Sequence, residues 1–321
     1  MLLWGQRLIE RGAPYLAPLG WVWGFVSFCK NALYDRRWLP IARVNRPVVS
    51  IGNLVAGGTG KTPLVHLIAS RFPHRNIAIL SRGYGGMSDE ALLLARRLPE
   101  AVIYVGKDRV ELARRAVKGG AQLILLDDGF QYRKLYRDFD LVILAGADPF
   151  GRGHFLPHGF LRDSPNRLKS ADAIFVSGHG SYPSPCICVK AKVERILDLD
   201  ETPVPSIHGW RIASFCGIAR PASFKKTLEG LGADVIAEWI LADHEQAVEG
   251  RLKEFARRSK ALGAKAILCT EKDVVKIRPG FRCLLPIFFV EISLYVADGV
   301  ALWENLIAKI DQKIDNITAY E

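Results

Sequence analysis

The chain has little to tie it to a zinc-binding, nucleic-acid-binding or membrane-spanning class. Its six cysteines (Cys29, Cys186, Cys188, Cys216, Cys269, Cys283) are scattered, and Cys186-Ile187-Cys188 is too tight for the CxxC spacing of a zinc site. No second cysteine pair or cysteine–histidine cluster completes such a site, so reduced thiols in a cytosolic compartment are expected. There is no internal repeat and no low-complexity tract. Charged residues at 24% against hydrophobic residues at 49% exclude a disordered chain. No basic patch is interleaved with aromatics, so the formal net charge of +11 gives no nucleic-acid partner. Anionic lipid and phosphorylated small molecules are the acidic partners left by that charge.

A full bilayer span is also missing. The uncharged N-terminal stretch from Ala13 to Cys29, APYLAPLGWVWGFVSFC, is interrupted by Pro14, Pro18, Gly20 and Gly24. It falls short of the roughly 20 residues a spanning helix needs. Its late start, with no small-residue cleavage site after it, argues against a signal peptide. Trp21 and Trp23 lie within it, and Arg7, Arg11, Lys30, Arg36 and Arg37 flank it. Aromatics beside cations favour an interfacial anchor on an anionic membrane surface, peripheral or held by a single helix.

At 321 residues the chain suffices for two domains. From Pro47 onward, short apolar runs alternate with amphipathic stretches. Strands are expected at Val48–Asn53, Asn76–Ser81, Ala101–Val105, Gln122–Leu126, Phe139–Ala145 and Ala171–Val176. Helical patterns at Lys61–Phe72, Asp89–Leu98 and Asp108–Lys118 fall between several of them. Continuous apolar strands separated by helices imply a parallel sheet covered on both faces, a three-layer α/β/α domain. A second, smaller α/β domain follows, with strands at Arg211–Cys216, Asp234–Ile240, Ala264–Cys269 and Leu284–Val290. Its helices are expected at Pro221–Leu231 and Glu245–Leu262, and Val300–Ile314 reads as its closing helix. The layout is therefore an N-terminal membrane-associated segment (1–40), a P-loop domain (41–185), an extended linker (186–210) and a C-terminal α/β domain (211–321). A ligand cleft between the two domains is the natural expectation.

What the chain does have is glycine in one telling place. Residues 52–63 read GNLVAGGTGKTP directly after the apolar run Pro47–Ile51. Gly57, Gly58, Thr59 and Gly60 would let successive backbone N–H groups converge on phosphate oxygens at a helix N-terminus. Lys61 would reach the terminal phosphates, and the Thr62 hydroxyl would ligate Mg²⁺. The usual pattern has Gly or Ala where this chain has Val55, so the strict motif fails while its strand–turn–helix context holds. A second metal-side carboxylate is needed at a neighbouring strand end. Gln122-Leu-Ile-Leu-Leu-Asp127-Asp128-Gly129 delivers two aspartates where ligands of parallel sheets bind, and adjacent carboxylates repel without a cation between them. A magnesium-bound nucleoside triphosphate is the implied ligand.

The surrounding blocks resemble one family. SIGNLVAGGTGKTP, LSRGYGG (80–86), the Asp89-Glu90 pair, GKDRV (106–110), LLDDGFQYRKLYRDFDLVIL (125–144), FLPHGFLRD (155–163) and TEKDVVKI (270–277) occur in the order seen in tetraacyldisaccharide 4′-kinases. The similarity runs from the N-terminal segment through at least Ile277. It implies a membrane-associated enzyme of lipid A biosynthesis on the cytoplasmic face of the inner membrane. The reaction implied is transfer of the ATP γ-phosphoryl group to the 4′-hydroxyl of a lipid-linked glucosamine disaccharide 1-phosphate. By that likeness Asp89 accepts the hydroxyl proton, His244 of the second domain pairs with Asp89, and Glu90, Asp127 and Asp128 serve Mg²⁺. Arg162 matches an arginine near the transferred phosphoryl group, and Arg109 a second active-site arginine. The chain departs from the family in a shortened segment between Gly86 and Asp89, in Ser88 and Ala91 flanking the acidic pair, and in Asp163 where the family has glutamate.

Two other readings of the P-loop are a membrane-recruited nucleotide switch and a kinase of a soluble metabolite. A guanine-reading NKxD motif is missing: Thr270-Glu271-Lys272-Asp273 lacks the spacer between lysine and aspartate. Single residues also have plainer readings. Asp89 could complement a helix dipole, Arg162 could be a surface charge, and His244 could be structural.

Overall fold

The computed structural model describes residues 14–83, 88–178, 185–218, 221–241 and 248–318. The chain divides into two units, Met1–Ala191 with Leu294–Glu321, and Lys192–Ser293.

The first unit opens with a 3₁₀ turn (Pro14–Leu16) and helix α1 (Ala17–Asp35). There follow β1 (Val48–Gly52), α2 (Lys61–Ala69), β2 (Ile77–Ser81), α3 (Asp89–Arg97), β3 (Val102–Val105), α4 (Arg109–Lys118), β4 (Leu123–Asp127), β5 (Phe139–Ala145) and β6 (Ala173–Ser177). Strand β7 (Ile187–Asp198) begins here and continues into the second unit. The strand order is β3-β2-β4-β1-β5-β6-β7, and the neighbours are parallel. Every residue of β1, β2 and β4 is buried, because helices cover both faces of a parallel sheet. Alternate side chains divide between the layers. Val49, Ile51, Ile79, Leu125 and Ile143 pack with Leu64, Val65 and Ile68 of α2. Val48, Ala78, Leu80, Ile124 and Leu126 pack with Leu112, Ala113 and Ala116 of α4. This is the three-layer α/β/α domain the apolar runs imply.

The second unit holds β8 (Arg211–Cys216), α5 (Pro221–Gly230), β9 (Asp234–Ile240), α6 (Glu249–Ala261), β10 (Ala266–Thr270), the short helix α7 (Glu271–Val274) and most of β11 (Ile287–Asp298). Its strands run β11-β10-β8-β9 with parallel neighbours. Ala213, Phe215, Ile267 and Cys269 meet Leu252 and Ala256 of α6. On the other face Ile212, Ala266 and Leu268 meet Phe224 and Leu228 of α5.

Two boundaries differ from the sequence reading. The first half of the segment expected as a linker is the strand β7, whose alternating pattern at its start is that of a strand with a buried face. The closing helix, α8 (Val300–Thr318), belongs to the first unit, to which β11 returns the chain at Leu294. Trp303, Leu306, Ile310 and Ile314 form its apolar stripe and join the layer around Leu64 and Ile68. Arg71 pairs with Glu304 at 2.8 Å, and Arg75 with Asp311 at 2.9 Å and Asp315 at 2.6 Å. The stripe could serve either sheet as far as periodicity tells; it packs on the first unit's apolar layer, and the ion pairs edge that contact. Among the described residues no helix is long and apolar enough to cross a membrane.

Candidate active site

Strand β1 sits at the centre of the first sheet, so the turn that leaves it opens at the C-terminal edge, where parallel sheets bind ligands. Gly57 (φ 114°) and Gly60 (φ 95°) lie in the left-handed region that side chains disfavour. Gly60 caps α2 with no side-chain hydrogen bond, which leaves the first N–H groups of that helix to meet an anion. Lys61 and Thr62 open α2, while Gly57 and Gly58 are exposed. Val55 explains its own departure from the motif: it is buried and makes an isolated antiparallel bridge to Leu161, before the cradle begins.

The phosphate-binding motif gives no task to Asn53, which stands between strand and cradle. Fully buried, it donates from Nδ2 to Thr59 Oγ1 at 2.9 Å. Its carbonyl accepts from Gln131 Nε2 at 2.8 Å, and its Oδ1 from Arg162 Nη1 at 3.3 Å. Asn53 thus ties the cradle to the two segments that face it, its side chain to Thr59 and Arg162 and its backbone to Gln131. Asn53→Ala should weaken nucleotide binding by about tenfold, since orphaning buried partners costs about 1–3 kcal/mol. Calorimetric titration with a non-hydrolysable triphosphate would measure it.

The two aspartates at the end of β4 are unequal. Asp128 takes φ 53°, and Gly129 follows because a Cβ there would stand 2.7 Å from Ser50 Oγ. Arg162 grips the Asp128 carboxylate with both terminal nitrogens, at 2.8 and 2.9 Å, and Lys61 Nζ lies 3.6 Å away. Burial works to raise the Asp128 pKa. The charges of Lys61, Arg162 and Arg109 outweigh it and hold the carboxyl well below the usual carboxylate range. Asp127 is buried with Oδ1 unpartnered. Its burial first, and then the Asp128 charge, push it up to about 7, with Lys61 and Arg109 pulling the other way. Glu90 adds to the upward push, and it shares the first turn of α3 with Asp89 behind the cap Ser88. That first turn is where a dipole-complementing acid also sits, so helix position alone does not assign Asp89 a chemical task.

Arg109 is buried at the start of α4, where Asp108 caps the helix. It donates to the Asp127 carbonyl at 3.3 Å and lies 5.1 Å from the Tyr132 ring centroid, with Nε unpartnered. Burial lowers its proton affinity, and Asp128 and Asp127 oppose that. Arg82, Lys107, Arg109 and Arg162 line one cleft of about 220 Å³ with Asp128, Gln131 and Tyr132. Four cations to one carboxylate make it an anion site. Of these cations the family resemblance gives tasks to Arg109 and Arg162; Arg82 and Lys107, in LSRGYGG and GKDRV, receive none from motif or resemblance. His244 lies outside the described residues. Among the described residues no three carboxylate, histidine or cysteine groups form a ready-made metal cage.

A parallel sheet whose central strand feeds a glycine cradle, with Lys61 reaching an acidic strand end, defines a P-loop phosphate-binding protein. A family model described as tetraacyldisaccharide-1-P 4′-kinase matches residues 12–311. Tetraacyldisaccharide 4′-kinase of Anaeromyxobacter dehalogenans (strain 2CP-C) is 40% identical, over 86% of this chain and 82% of its own. The Chlamydia trachomatis protein of that name is 36% identical over 81% and 80%. The crystal structure of LpxK from Aquifex aeolicus in complex with ATP aligns with a TM-score of 0.76 at 26% identity, covering 92% of this chain and 98% of that one. The chain belongs to the tetraacyldisaccharide-1-P 4′-kinase family: it is a kinase, with the activity that gives the family its name.

Proposed function

We propose that this chain transfers the γ-phosphoryl group of ATP to the 4′-hydroxyl of a tetraacylated glucosamine disaccharide 1-phosphate, with Mg²⁺, while resting on an anionic membrane surface. The observation that carries the residue assignment is the convergence of Lys61 and Arg162 on Asp128 beside the glycine cradle. Both cations stand where phosphate oxygens could take over from the carboxylate. Family membership and the ATP in the Aquifex aeolicus structure support the choice of nucleotide.

In this reading the backbone of Gly57, Gly58, Thr59 and Gly60 cradles the phosphates, and Lys61 and Arg162 offset charge on the γ-phosphoryl oxygens. Arg109 and the other cations of the cleft hold the anionic acceptor or its product. The unpartnered, buried Oδ1 of Asp127 fits a hard cation, which in nucleotide sites takes one or two protein oxygens and fills its shell from phosphates and water. Thr62 and Asp127 would hold it, with Glu90 behind and Asp128 available once the phosphates draw its two cations away. The chemistry supplied by Mg²⁺ when bound is neutralisation of the β- and γ-phosphate oxygens. Asp89 accepts the proton of the sugar hydroxyl, and the family resemblance gives His244 the task of orienting it.

The membrane part rests on α1. Leu19, Trp21, Val22, Phe25, Val26 and Phe28 are each more than half exposed, as is Trp38 just beyond the helix. Arg36 and Arg37 are exposed beside them. An apolar, aromatic face edged by cations suits the boundary of an anionic leaflet. The acceptor calls for such a surface, because each buried acyl methylene holds it in the bilayer by about 0.8 kcal/mol.

The test is incubation of purified enzyme with labelled ATP and the disaccharide 1-phosphate in mixed vesicles, followed by location of the new phosphate. Label on any position but the 4′-oxygen, or none, defeats the reading. In the same assay Asp89→Ala should lower turnover by about 10²–10⁴-fold with nucleotide affinity little changed. Equal loss of both would return Asp89 to its place as a helix-terminal acid.

A further inference from the structure

Helix α1 is inverted relative to an ordinary surface helix: its small and polar side is the buried one. Gly20, Gly24, Ser27 and Asn31 recur at helical spacing and share one face. A Cβ on Gly24 would stand 2.7 Å from the Phe155 ring, and one on Gly20 would stand 3.1 Å from the Phe155 carbonyl oxygen and 3.2 Å from His158 Cβ. The glycines therefore let the helix lie directly on the segment that leads to Arg162. One turn further on, Asp163 is 1% exposed. Its Oδ1 accepts from Asn31 Nδ2 at 2.8 Å, Ser27 Oγ at 3.2 Å and the Ser164 N–H at 2.8 Å. Trp23 Nε1 donates to the carbonyl of Arg162 at 3.2 Å. Directly from this anchored stretch, the Arg162 side chain reaches Asp128 and Asn53.

We infer that Asp163 is a positioning residue: through Ser27 and Asn31, and with the help of Trp23, it fixes the membrane-facing helix to the backbone that aims Arg162. The inference rests on the proposed tasks of Arg162 and α1. Its physical basis is the cost of a buried carboxylate that loses its donors. If α1 shifted without residues 162–163, Asp163 would be left charged, buried and short of two hydrogen bonds. The helix and the 162–163 backbone therefore move as one body, and the seat of α1 on the lipid sets where the guanidinium stands. An anchor that only delivered the enzyme to the bilayer would need no such bond.

The decisive variants lie on the helix, away from the proposed chemistry. Ser27→Ala/Asn31→Ala should lower kcat by about 10- to 30-fold while the KM for ATP stays within about twofold. The same loss should appear with acceptor in vesicles and with a short-chain acceptor dispersed in detergent, and vesicle co-sedimentation should be unchanged. The exchange Asn31→Asp/Asp163→Asn reverses donor and acceptor and should recover most of the activity that Asn31→Asp alone loses by charge repulsion. Unchanged kcat in the folded double-alanine enzyme overturns the inference, as does a loss seen only with vesicles, which would make α1 an anchor alone. Should the double-alanine enzyme not fold, Trp23→Phe decides, because it keeps the ring and removes one donor: reduced kcat at constant ATP KM supports the coupling, and unchanged kcat overturns it. Failure of the proposed function would look different, since the unaltered enzyme itself would then transfer no phosphate.

Discussion

Asp127→Asn is expected to lower kcat by about 10²–10³-fold, equivalent to about 3–4 kcal/mol of transition-state stabilisation, without unfolding the protein. The exchange keeps the size and shape of a buried side chain at the end of β4, so the register of Asp127 with Ile51 on β1 has no reason to change. What it removes is the negative charge. That charge is costly in the free enzyme: burial and Asp128 together push the carboxyl up to about 7, and its Oδ1 has no partner. A neutral amide at this position is less penalised, so the thermal midpoint of the nucleotide-free variant should equal or exceed that of the parent. Loss of turnover with no loss of stability is the pattern of a group held in an unfavourable place for chemistry. Steady-state kinetics over a Mg²⁺ titration, with calorimetry on the same samples, would measure both. Near-parental turnover at ordinary Mg²⁺ would remove Asp127 from the metal site.

The cradle and the acidic strand end were legible because both are local. A continuous apolar run sets each strand, and the residues that follow it must emerge at the C-terminal edge of a parallel sheet. What was not legible depends on partners distant in sequence. The unlike fates of Asp127 and Asp128 arise from Lys61, far upstream, from Arg162, more than thirty residues downstream, and from a left-handed turn at Asp128. Asn53 is silent in any hydrophobic pattern, and its importance appears only when Thr59, Gln131 and Arg162 are all in view. Helix α8 has an apolar stripe that either sheet could have covered, and it packs on the layer around Leu64 and Ile68, with ion pairs to Arg71 and Arg75 at its edge. The N-terminal stretch shows the same limit from the other side. Its aromatics are exposed, and the face that docks on the protein is built from glycine, serine and asparagine, which a hydrophobicity scale scores as nothing to bury.

Arg162→Ala should cost about 10³-fold or more in kcat, within the range that arginines placed on a transferring phosphoryl group contribute. In the free enzyme its fork is spent on Asp128, which also lies 3.6 Å from Lys61. Removing the arginine therefore does more than delete a positive charge: it leaves Lys61 as the nearest cation to a carboxylate that must release it to the nucleotide. A moderate rise in the KM for ATP, smaller than the fall in kcat, should accompany the loss. Arg162→Lys should recover only part of the rate, because an ammonium is a point charge and cannot reproduce two parallel hydrogen bonds. Guanidinium ion added to the alanine variant tests the geometry directly, since it supplies the same planar donor set without the tether. Partial rescue by guanidinium, with none from an equal concentration of ammonium, would assign the effect to the fork acting on phosphate. Equal, small changes in kcat and KM with no rescue would instead make Arg162 the counter-ion of Asp128 and nothing more. The bidentate contact to Asp128 would then be the whole of its work, and the cation acting on the transferred group would have to be sought among Arg82, Lys107 and Arg109, which line the same cleft.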